Sequence, residues 1–377
     1  MNKASTGKSF FNTPCPEPLF PGSFVDSSVL AHELNMKYNL SLPFYRSTAE
    51  RCREGAPITA NDLYTWSINL YEKKFVFLMP LFWDELLKNP EEIIQADETT
   101  FLVLRLKEKE PGQKSYIWSY NTCKFSKHKI HIYSFETGRS GDFPADKLLN
   151  YVGYLVTDGY PGYNKVANII RIMCWIHARR KFVEAYPSDS RLIPVSKQYE
   201  AVQKIDKLFE EDEKLQNLNP ETRKAERNKL MRPIIEALYD WFDEIKPEIS
   251  KKSKLAEAIN YCENNRKELM NFLENGNLPL HNQVSEQSIR NVAVGRKNYM
   301  LYGSQRGANA GMCFYTTVQS ANANGLDSEL YLKYLMDHMK GNNFDRSPEA
   351  LTNLMPWSEQ SIAACKTGLV YKKQYDF

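Results

Sequence analysis

The sequence predicts a mixed α/β protein: a five-stranded sheet flanked by helices, carrying a large all-helical insertion and helical segments at both ends. Three observations predict it. Between Glu91 and His177 the chain offers five short runs rich in β-branched and aromatic residues, bounded by turn signals. The first three runs follow one another directly, whereas helical stretches separate the later ones, which is the order of antiparallel pairing followed by parallel crossovers. From 196 to 275 the strand signal disappears and charged residues alternate with apolar ones at helical spacing.

Taken in order, residues 1–25 are Pro- and Ser-rich without periodicity and read as an extended lead-in. From Ser27 to about Leu87 the pattern is helical. "STAERCREGAPITANDLYTWSINLYEKK" gives a helix, a Gly-Ala-Pro break and a second helix, with Thr59 and Asp62 spaced as a capping box. Two short helices about a tight break suit either a DNA-reading helix-turn-helix or a plain helical hairpin. Leu63, Trp66 and Leu70 form a core stripe that favours the hairpin. The strands are "EEIIQADETTFLVLRL", "SYIWSYN", "KIHIYSF", "YVGYLVTDG" and "IIRIMCWIH", with a helix starting at the Pro of "PADKLLNYV" and a short one at 161–167. In the insertion, Tyr199, Val202, Ile205 and Leu208/Phe209 make an apolar stripe for packing. Further helices follow "NGNLPLHNQVSEQ", and "YTTVQSANANG" closes at Gly325.

The bulk chemistry excludes several classes. With 42% hydrophobic and 25% charged residues among 377, the chain reads as an ordinary globular protein with room for two or three domains. A net charge of +3 permits a polyanionic partner without requiring one. Seven cysteines (15, 52, 123, 174, 262, 313 and 365) stand singly, so neither a zinc ribbon nor a disulfide framework is expected, and reduced thiols in a cytoplasm are. No apolar stretch approaches the roughly 20 residues that span a bilayer, and the start lacks a signal-peptide core.

Three acids sit where such a sheet can unite them. Asp97 lies in the first strand, Asp158 ends the fourth, and Glu286 lies in the helix after the insertion. Phosphodiester chemistry needs an activated oxygen nucleophile and relief of charge on entering and leaving oxygens. Two hard divalent cations supply both, and hard cations take carboxylate ligands. Crowded carboxylates without a cation repel one another. Spacing alone does not single these three out among 46 acidic residues. Asp158 before Gly159 also suits a turn, with Gly159 at positive φ, and Glu98 competes with Asp97, since alternation turns one of the two toward a given face.

"VTDGYPGYNKV", "CWIHARRKFVEA" and "HNQVSEQSIRNVAVGRKNYMLYGSQRGANAGMCFYTTVQSANANG", with "PLFPGS" and "ADET", together resemble the transposases of the insertion sequence 66 family across nearly the whole chain. The resemblance implies an RNase H-like catalytic core with Asp97, Asp158 and Glu286 as the acid triad and metal ligands, and two divalent cations, Mg²⁺ or Mn²⁺. It implies cleavage at the ends of an insertion element and transfer of the freed 3′-hydroxyl into target DNA. Its expected partners are double-stranded DNA (element ends and target), a second copy of the chain or more on DNA, and accessory proteins of the same element, with no membrane. The other readings are an RNase H-like nuclease without strand transfer and a non-catalytic DNA-binding remnant. Family members usually carry an upstream zinc-type module. Here Met1 lies only a few residues before "PLFPGS", so the chain is expected to be the core of such a transposase.

Supporting roles follow. Asn282, one turn before Glu286, either orients it or caps the helix. His177 either contacts the DNA backbone or is structural. Arg179, Arg180 and Lys181, with Arg290, Arg296 and Lys297, are the expected phosphate contacts. Cys174 and His177 have half of a zinc spacing without a second pair, so Cys174 reads as core. The Gly-rich 303–311 stretch suits either a close approach of DNA or a loop before a helix. The expected organisation is a lead-in and helical region able to bind DNA (1–90), a catalytic core (91–187 and 277–325), the helical insertion (188–276) and a helical tail (326–377).

Overall fold

A computed structural model describes residues 17–20, 23–106 and 114–366. Cys15, most of the lead-in and part of "PLFPGS" lie outside the described residues. Helix α1 (Ser27–Tyr38) starts where the Asp26 carboxylate accepts the Ser28 N–H at 2.8 Å. α2 (Phe44–Arg53) and α3 (Ala60–Lys73) flank the predicted break, where Gly55 adopts φ +84°. The capping box forms: Thr59 Oγ1 accepts from the Asp62 N–H at 3.2 Å, and Asp62 Oδ2 from the Thr59 N–H at 2.9 Å. Leu63, Trp66 and Leu70 are buried as the stripe predicts, and α4 (Met79–Leu87) completes this region.

The strands are β1 (Ile93–Val103), β2 (Ser115–Thr122) and β3 (His131–Glu136), then, after α5 (Asp142–Lys147), β4 (Gly153–Thr157) and β5 (Ile169–Met173). Their spatial order is β3-β2-β1-β4-β5, with β1, β2 and β3 antiparallel and β1, β4 and β5 parallel. β5 is shorter than the apolar run "IIRIMCWIH" suggests. Cys174 is extended (φ −77°, ψ 120°) and acts as N-cap of α6 (Trp175–Glu184), so Trp175 and Ile176 are helical. Their apolar side chains serve a buried helix start as well as a strand, and periodicity over so few residues does not separate the two.

The insertion is helical: α7 (Lys197–Lys214), α8 (Pro220–Ile245), α9 (Lys254–Asn264) and α10 (Arg266–Met270). Val202, Ile205 and Leu208 of the predicted stripe are buried, in a core shared with Trp175, Ala178 and Phe182 of α6. The chain returns through α11 (Gln283–Tyr299) and a two-residue β6 (Leu301–Tyr302), which adds a sixth strand beside Leu102 and Val103 of β1. α12 (Gln305–Ala323), α13 (Ser328–His338), α14 (Pro348–Thr352) and α15 (Glu359–Cys365) finish the described chain. The Gly-rich stretch is mostly the first turns of α12, capped by Ser304, and Gly325 closes that helix at φ +77°.

Two features of the sheet place the site. Alternation sends Ile94 and Ala96 of β1 into a core with the N-terminal helices, and Ile93 into the core of the insertion. The register of β1 on β4 has a constant offset of 61 residues (Ile93 opposite Tyr154, Gln95 opposite Val156), which is also the separation of Asp97 and Asp158.

Candidate active site

Continuing that register carries Asp97 level with Asp158, which stands one residue past the end of β4. Asp97 is in phase with Gln95, and α11 packs over that same face. Asn121, opposite Gln95, donates to Ser285 Oγ at 3.0 Å, and Tyr133 donates to the Ser288 carbonyl at 3.0 Å. The buried stripe of α11 (Ser285, Ser288, Ile289, Val292, Gly295) is small toward its start, which lets the helix lie close to the strands. Glu286, in its first turn, thereby comes near enough to Asp97 for its charge to act on it. Burial pushes the Asp97 carboxyl up to about 8, and the charges of Glu98, Asp158 and Glu286 push the same way.

Glu98 points to the opposite face. Its side chain is 1% exposed, 2.6 Å from Arg139 Nη2, and accepts the Tyr163 hydroxyl at 2.8 Å. Burial and then Asp158 still raise its pKa against those partners. Arg171 fixes the loop carrying Asp158: it donates to Thr157 Oγ1 (2.9 Å), the Asp158 carbonyl (2.7 Å) and the Tyr160 carbonyl (3.0 Å). Asp158 also makes the predicted turn, its Oδ1 accepting the Tyr160 N–H at 2.9 Å. Gly159 is not at positive φ. It is required because a Cβ there would lie 2.5 Å from the ring of Tyr261 in α9. Tyr261, whose buried hydroxyl has no hydrogen-bond partner, is a contribution of the insertion that the sequence did not signal.

His177 lies in the first turn of α6, with Nε2 3.8 Å from Glu286 Oε1. Burial lowers its pKa, while Glu286 and Asp158 oppose that. Asn282 is the N-cap residue of α11, its carbonyl accepting the Glu286 N–H at 3.0 Å, yet its side chain makes no cap bond. That side chain is fully buried, with both amide atoms unpaired.

The basic residues divide. Arg180 Nη2 lies 4.0 Å from Glu286 Oε1, and Lys181 Nζ lies 5.9 Å from the Tyr261 ring centre. Arg290 and Lys297 are exposed and follow Glu286 along one face of α11 by helical spacing. Arg179 is held by Asp206 of α7 at 2.5 and 3.0 Å, and Arg296 donates to Thr100 of β1, so these two tie elements together.

Chemically, the center is oxygen-rich and overcrowded with negative charge. The charges of Asp158 and Glu286 both act on Asp97, and Glu286 Oε1 has no hydrogen-bond partner. Such a donor set fits hard divalent cations.

A family model described as "Transposase IS66 family" matches residues 22–310. Two curated relatives, the uncharacterized proteins y4hP and y4qI of Sinorhizobium fredii (strain NBRC 101917 / NGR234), are 27% and 26% identical over 375 and 363 residues. The alignments cover 93% and 91% of this chain, which spans 65% and 64% of the relatives' length. No solved structure matches it. No described helix is long and apolar enough to cross a membrane. By sequence, over more than three quarters of its length, the chain belongs to the IS66 family of transposases.

Proposed function

We propose that the chain is the catalytic core of a DNA transposase that cuts at insertion-element ends and joins the freed 3′-hydroxyl to target DNA. Asp97, Asp158 and Glu286 carry the chemistry. The observation that supports this best is the β1–β4 register, which levels Asp97 with Asp158 beneath the first turn of α11. The strand order, antiparallel then parallel, is consistent with an RNase H-like core.

In this reading Asp97 and Asp158 hold divalent cations, Mg²⁺ or Mn²⁺, and Glu286 completes the ligand set. When bound, the cations supply nucleophile activation and charge relief at the phosphorus. Arg171 and the Asx turn hold Asp158 in register, and Asn282 sets the first turn of α11. His177 Nε2 and Arg180 face the phosphate beside Glu286. Arg290 and Lys297 continue along the DNA backbone, roughly 16 Å from Glu286 to Lys297 at 1.5 Å per residue. No covalent protein–DNA intermediate is required, so no Ser or Tyr nucleophile has to be found. Double-stranded DNA is the partner, and two or more copies of the chain act on paired ends.

The test is a joining assay with labelled element-end DNA and a target plasmid. The reading expects joined products with Mg²⁺ or Mn²⁺, none with a chelator and none with Asp158→Asn. Nicking without joining would support a nuclease instead, and DNA binding without either would leave a non-catalytic remnant.

A further inference from the structure

Cys174, His177 and Glu286 bring a thiol, an imidazole and a carboxylate to one point. One ligand atom from each lies within 4.8 Å of the other two. Cys174 and His177 share one face of the start of α6 by i,i+3 spacing, and Glu286 enters from α11. The cluster has unspent polar capacity. His177 Nδ1 and Glu286 Oε1 are buried without hydrogen-bond partners. Asn282, whose backbone N–H faces the Cys174 sulfur, is fully buried with both side-chain amide atoms unpaired. Buried polar groups are nearly always satisfied, so the two orphaned atoms of the cluster, with the orphaned amide of neighbouring Asn282, indicate a missing partner.

We propose that Cys174, His177 and Glu286 bind a thiophilic divalent cation of the Zn²⁺ class. Occupation draws Glu286 away from the oxygen-ligand site and holds the enzyme off. The inhibitory consequence rests on the functional reading above; the binding does not. A sulfur, nitrogen and oxygen set suits Zn²⁺ or Co²⁺ and not Mg²⁺, and three protein ligands leave a fourth position open. On binding, a sulfur–metal bond replaces the S–H bond of Cys174 and the proton passes to solvent. The thiolate then sits at the N-terminus of α6, where the backbone N–H groups favour it. The single Cys-x-x-His spacing, which read as core in the sequence, finds its third ligand only through the fold.

The experiment is a Co²⁺ titration of the purified full chain, followed by absorption. One equivalent is expected to produce tetrahedral d–d bands and a thiolate-to-Co²⁺ charge-transfer band, both abolished by one equivalent of Zn²⁺. Cys174→Ser, which keeps an N-cap side chain, must lose the charge-transfer band, and His177→Ala must weaken Co²⁺ binding at least about tenfold. Far-ultraviolet circular dichroism checks that both variants fold. A folded wild type without the band, or a band that survives in Cys174→Ser, overturns the site. Asp97→Asn and Asp158→Asn must keep the spectrum, so it stands or falls independently of DNA cleavage. If Zn²⁺ inhibits Mg²⁺-dependent cleavage equally in wild type and Cys174→Ser, the inhibitory role is overturned.

Discussion

Asp97 occupies the least favourable position for a charge in the site. Its carboxyl is pushed up to about 8 by burial first and by three neighbouring acids second. Between an unfolded value near 3.8 and about 8, the folded state holds a proton that the unfolded state has lost. Cation-free stability therefore falls as pH rises through that window. Asp97→Asn is expected to raise Tm in chelator by several degrees at pH 8 and hardly at all at pH 4, as thermal unfolding across pH will report; an advantage independent of pH would contradict this. For activity, Asp97→Asn, Asp158→Asn and Glu286→Gln are each expected to lower cleavage at least about 100-fold while DNA binding persists. Glu98→Gln is expected to cost about 1–3 kcal/mol of stability through Arg139 and Tyr163, with a much smaller loss of cleavage. The sequence left Asp97 and Glu98 in competition because alternation says that two neighbours face apart without saying which face is which. The β4 register and α11 put Asp97, and not Glu98, on the face that α11 covers, which is why the proposal takes Asp97.

At the scale of elements, the insertion is more than a spacer between acids. α9 places the Tyr261 ring against Gly159, next to Asp158. Gly159→Ala is expected to destabilise the protein by about 1–3 kcal/mol through overpacking, and Tyr261→Ala to remove most of that penalty. A double-mutant cycle in urea measures the coupling, and strict additivity would mean that the contact is not what requires the glycine. This pairing was invisible in the sequence: "AINYCENN" carries only a helical period, and nothing local links Tyr261 to a turn far upstream. Elements with strong local signals were legible. The Thr59–Asp62 box, the α7 stripe and the order of strands all follow from spacing and residue type. The end of β5 and the helical start of α12 were not, because Trp and Ile suit either state and Ser304 caps a helix that glycines seemed to exclude.

For the whole molecule, a net charge of +3 is mild, so any hold on DNA depends on where the cations are free. Arg290 and Lys297 are exposed along α11, whereas Arg179 is committed to Asp206. Arg290→Gln and Lys297→Gln are each expected to lower the slope of log affinity against log salt by about one, uniformly across DNA sequences. Arg179→Gln is expected to leave that slope unchanged and to loosen α6 from α7, read as a lower Tm. Family membership and the sheet were legible over most of the chain because its blocks of sequence are long and ordered. The sheet order made a meeting of these three acids conceivable, and only the resemblance singled them out, since nothing local links residues so far apart. The most direct test of the central claim is anomalous scattering from crystals soaked in Mn²⁺. The account predicts Mn²⁺ peaks bounded by the carboxylates of Asp97, Asp158 and Glu286; peaks seated on Glu98 and Asp158 without Asp97, or none among these acids, would contradict it.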